Sequence, residues 1–157
     1  MLRRIFRALL RPRPARAPPR PADPRLEADA WLGRMFTLLG ERYQLGADAA
    51  EGTRLLRRTG RARFNPMPVW VLAAERVVRG EYEVRGDVAA AKALLDARVA
   101  GPLSGLGLGM AAESVEEWAG TVLTRRYEGR CETAEAAAAA VRFICEESET
   151  QINLAAE

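Results

Sequence analysis

Apolar residues recur three and four positions apart along most of this chain, and that spacing predicts helices. Asp23 followed by Pro24 reads as an N-cap and a first helical position. Beyond it, Trp31, Leu32, Met35, Phe36, Leu39 and Tyr43 share one face until Gly46. A second, short helix is expected from Asp48 to Gly60 with Leu55 and Leu56 inward. Asn65-Pro66-Met67-Pro68 opens a third, carrying Trp70, Ala73, Ala74, Val77 and Val78 as its stripe before Gly80. Residues 81–86 alternate too briefly to count as more than a turn or a stray extended segment.

Asp87 then caps a fourth helix through Val88, Ala91, Leu95 and Val99, closed by Gly101-Pro102. Ser114 and Glu117 have capping-box spacing and predict a fifth, with Val115, Trp118, Ala119 and Val122 inward. Thr133 starts the last helix, on which Val141, Ile144, Cys145, Ser148 and Ile152 share a face. The expected fold class is therefore all-α, a compact bundle-like domain of about six helices at residues 23–157.

Residues 1–22 read differently. Leu2, Ile5, Phe6, Leu9 and Leu10 have the spacing of a short amphipathic helix, with Arg3, Arg4, Arg7 and Arg11 on its other side. A helix that short is unstable alone in water and gains stability only against a surface. The Arg/Pro-rich stretch that follows predicts an extended linker, because proline removes donors and disfavours helix before it.

Composition sharpens this picture in three places. Aromatics are sparse at 6%, which favours helices over sheets. Lys92 is the only lysine, so the cations are arginines: either a codon bias or a selection for guanidinium forks that grip phosphate. Charge is also uneven. Residues 1–24 carry seven arginines against Asp23, whereas ten glutamates lie from Glu113 onward. No apolar run is long enough to span a membrane, and Arg7 interrupts the only leader-like stretch. The cytoplasm is the expected location, with a peripheral membrane position open through the arm.

Catalytic equipment is thin. The sequence has no histidine, which removes the commonest general base and the Ser-His and Cys-His pairs. Cys131 and Cys145 cannot form a four-ligand zinc site without histidine, and the apolar helical position of Cys145 favours buried thiols over a disulfide. No cofactor or metal is expected. Glycines at 105, 107 and 109 lie between predicted helices rather than after a strand, so they read as a connection or an exposed partner-binding loop.

Arg54, Arg57, Arg58, Arg61 and Arg63 cluster around the end of the second predicted helix. They are phosphate-binding candidates, or else cations that complement the helix dipole. Trp31, Trp70 and Trp118 fall on apolar stripes and are expected in the core. Together these features predict a non-enzymatic interaction or adaptor module. Its arm residues Leu2, Ile5, Phe6, Leu9 and Leu10 would attach it to a membrane surface or a larger protein assembly. The alternative is a non-specific nucleic-acid-associated or packaging protein that uses its arginine clusters.

Overall fold

The computed structural model describes residues 22–45, 53–58, 68–148 and 152. The chain is mixed α and β, which corrects the all-α expectation. Among the described residues, six antiparallel strands form one sheet in the order β1-β2-β3-β4-β6-β5. They are β1 (Tyr43–Leu45), β2 (Thr53–Arg58), β3 (Val69–Leu72), β4 (Val77–Arg85), β5 (Gly109–Glu116) and β6 (Val122–Arg130).

Three helical segments accompany the sheet among the described residues. The first is α1 (Pro24–Leu39). The second runs from α2 (Val88–Leu95) through a π-helical turn (Asp96–Ala100) into α3 (Gly101–Gly105). The third is α4 (Ala134–Arg142), continued by a π-helical turn (Phe143–Glu147).

The helix starts follow their caps. The Asp23 carboxylate accepts from the Arg25 amide at 3.0 Å, Asp87 from Ala90 at 2.8 Å, and Thr133 from Ala136 at 3.2 Å. Met35, Leu39, Ala91, Leu95, Val99, Val141, Ile144 and Cys145 are buried on the expected faces. The first helix ends at Gly40 rather than Gly46, since Gly40 takes a positive φ of 77°. Tyr43 consequently leaves the helix and enters β1.

Elsewhere strands replace predicted helices. In place of the second helix stands β2, and the third becomes the β3–β4 hairpin, which turns at residues 73–76. Buried residues in that hairpin are Val69, Val71, Val78, Gly80 and Tyr82, a period of two rather than 3.6. The alternation at residues 81–86 was the end of β4. The fifth predicted helix is the β5–β6 hairpin, and Gly120 at φ 103° marks its turn.

The helices cover one face of the sheet. Gly80 makes this packing close, because a Cβ there would stand 2.7 Å from Ile144 Cδ1. Trp31 ties α1 to the end of β6 by donating its indole N–H to the Cys131 carbonyl at 3.1 Å. Tyr82 and Tyr127 meet edge to face at 5.8 Å beneath the helices. Both cysteines are buried.

Candidate interaction surface

On the sheet face opposite the helices, half-buried Trp70 and Leu72 lie beside cross-strand ion pairs. Arg79 bonds Glu128 at 2.8 Å, and Arg126 bonds Glu81 at 2.9 Å. These four charges satisfy one another and leave little to recognise a ligand.

The two edges of the sheet differ sharply. On one side β1 has three residues, the short kind of edge that resists further pairing. The other edge, β5, has eight, and every one of them is exposed. It hydrogen-bonds β6 on one side only, so its outward amides and carbonyls meet no other strand among the described residues. Met110, Val115 and Trp118 are 58%, 41% and 98% exposed and belong to this one hairpin. The remaining large exposed hydrophobic among the described residues is Leu26, at the far end of α1.

A charge network holds the edge in place. Arg125 on β6 is buried, and its guanidinium donates to Glu113 of β5 and to Asp96 of the π-helical turn, both at 2.6 Å. The Lys92 ammonium of α2 also reaches the Glu113 carboxylate. Bonds from Lys92 and then Arg125 hold the Glu113 carboxyl below its ordinary value. The π-helical turn serves this arrangement by carrying Asp96 to Arg125. Helix and edge strand are thereby locked together, and β5 presents a fixed outer surface.

Other concavities offer less chemistry. A 330 Å³ cleft between the start of α1 and the β3–β4 turn is lined by Pro24, Arg25, Ala28, Asp29, Leu32, Ala73 and Ala74. It combines one carboxylate with one guanidinium and holds no nucleophile. Among the described residues, no group of three or more Cys, Asp or Glu side chains is arranged to hold a metal ion.

The sequence-derived candidates fare unevenly. Leu2, Ile5, Phe6, Leu9 and Leu10 lie outside the described residues, as do Arg61 and Arg63. Arg54, Arg57 and Arg58 lie on β2, opposite Val71, Gln44 and Tyr43 in register. A strand alternates its positions between two faces, so these three do not form one helical cluster, and no helix dipole explains them. Trp31 is buried as expected, but Trp70 is half-buried on the face opposite the described helices and Trp118 stands in solvent.

Sequence reasoning missed Met110 and Val115 as surface residues. A readable signal existed: Gly120 precedes the run Thr121-Val122-Leu123-Thr124, rich in the β-branched residues that favour strands.

Among the described residues, the fold and surface are those of a two-layer α/β domain with one long open sheet edge, β5. The chain matches no protein family, no curated protein and no solved structure. Among the described residues, no helix is long and apolar enough to cross a membrane.

Proposed function

We propose that this protein is a non-enzymatic interaction module that docks through the β5–β6 hairpin, with the basic arm of residues 1–22 attaching it to a membrane surface or larger assembly. One observation carries this reading: Trp118 is 98% exposed in the β5–β6 turn, and exposed Met110 and Val115 lie on the adjoining edge strand, whose outer side meets no other strand among the described residues. A fully solvated tryptophan leaves a large apolar area in water, and such area is characteristic of interface anchors. An open strand edge adds main-chain hydrogen bonds to any occupant. The carboxylates Glu116 and Glu117 beside Trp118 make this surface acidic and direct it toward protein rather than phosphate.

The test is a photo-reactive amino acid placed at position 118 of the full chain in its native cells. Discrete adducts from position 118, exceeding those from the same probe at exposed Arg98, are the expected result. Equal labelling from both positions would remove the hairpin as the docking element.

A further inference from the structure

We propose that the occupant of the β5 edge is a second copy of this chain, paired antiparallel about a two-fold axis through the centre of β5. This rests on the interaction-module reading and names the partner.

A two-fold axis requires the same patch on both subunits, and a strand paired with itself can satisfy that only in the antiparallel sense. The placement of the apolar side chains meets this condition. Met110 and Val115 lie symmetrically about the middle of the Gly109–Glu116 strand. They are five residues apart, so a regular strand would put them on opposite faces. The bulge between Met110 and Ala112 restores them to one face, where Met110 is opposite Tyr127 and Val115 opposite Leu123. The axis then sets Met110 of each copy beside Val115 of the other.

The same axis brings Trp118 level with the glycine-rich segment 105–109 of the partner copy. Gly105, Gly107 and Gly109 have open space where a side chain would stand, which leaves room for an indole.

Charge also permits the pairing. Glu113, nearest the axis, is already neutralised within its own copy by Lys92 and Arg125. Glu116 of one copy is placed about 20 Å from its counterpart, at about 3.3 Å per residue, beyond the roughly 8 Å screening length at physiological salt. Area is sufficient as well. The exposed parts of Met110, Val115 and Trp118 amount to about 400 Å² per copy, and two paired backbone edges carry the total to about 1,200 Å², the lower bound of specific interfaces.

The experiment is sedimentation of the full chain over a wide dilution series, with two sets of variants. We expect twice the chain mass at high concentration. Met110→Glu with Val115→Glu should weaken dimerisation by about tenfold or more, with circular dichroism unchanged because both side chains lie on the exposed edge strand rather than in the core. The second set, Met110→Cys with Val115→Cys, does not depend on that: mild oxidation should yield a covalent dimer whose linkage joins 110 of one copy to 115 of the other.

Monomer at every concentration, or a dimer insensitive to the glutamate pair and lacking the 110–115 linkage, overturns the proposal. In either case adducts from position 118 to a different protein would leave the interaction-module reading standing. Binding of a peptide of residues 1–21 to a strictly monomeric chain through β5 would name that arginine-bearing segment as occupant and overturn the second copy. No adducts and no dimer would defeat both.

Discussion

Two tryptophans with the same sequence signature should respond oppositely to truncation. Trp31 and Trp118 both sit on helical apolar stripes in the sequence, but one is 6% and the other 98% exposed. Removing the Trp31 side chain withdraws roughly 150–250 Å² from the core, which at about 25 cal/mol per Å² is an upper bound of about 4–6 kcal/mol. It also removes the 3.1 Å hydrogen bond to the Cys131 carbonyl, a further cost of about 1 kcal/mol. Partial collapse of the site lowers the total, so Trp31→Ala should cost about 4 kcal/mol.

Trp118→Ala should change stability by no more than about 0.5 kcal/mol. The assay is urea unfolding followed by far-UV circular dichroism, in dilute protein so that association does not contribute. With a slope of about 2 kcal/mol/M, Trp31→Ala should lower the midpoint by about 2 M and Trp118→Ala by almost nothing. A loss above about 2 kcal/mol for Trp118→Ala would restore the buried helix that the spacing of residues 114–122 predicted, and would refute the hairpin.

Gly129→Ala should destabilise far more than Gly80→Ala. A Cβ at 129 would fall 2.0 Å from the Gly107 carbonyl oxygen, which is backbone, whereas at 80 it meets the movable end of Ile144 at 2.7 Å. Thermal melts should show a modest loss for Gly80→Ala, about 1–3 kcal/mol, and failure to fold or a much larger loss for Gly129→Ala. Glu113 has a lowered folded-state pKa, so the stability it contributes is complete above its ordinary value of about 4.3 and is lost as pH falls through the folded value. Melting temperatures between about pH 6 and pH 3 should therefore fall less steeply in Glu113→Gln than in the parent chain. Tyr82 donates to Ser148 Oγ at 3.0 Å inside the core, and Tyr82→Phe should cost about 1 kcal/mol in the same urea assay.

What the sequence made legible was the helical layer. Asp23-Pro24, Asp87 and Thr133 announce helix starts through local chemistry, and their apolar stripes are unbroken because each helix buries a single face. The sheet was hidden for a physical reason. Val77 and Val78 are adjacent, and both are at least half-buried because the face opposite the described helices also carries Trp70 and Leu72. Burial on two faces erases the strict alternation that betrays a strand, and adjacent apolar pairs then mimic a helical stripe. Ala73 and Ala74 completed that stripe although they form the turn. Ser114 and Glu117 matched a capping box because the same residue types sit on an exposed strand edge and in the turn that follows it. The docking surface was illegible for the same reason, since assigning residues 114–122 to a helix places Trp118 inside.

Residue-resolved amide hydrogen exchange on the full chain reports directly whether β5 is a strand with its outer side open to an occupant. In dilute solution the amides of 109–116 that face β6 should be protected and the alternate, outward amides should exchange freely. Raising the protein concentration should slow the outward set, as the second copy covers it. Contiguous protection running from Ser114 through Val122 would show a helix in place of the hairpin, and outward amides that exchange freely at every concentration would show an edge to which this chain does not pair.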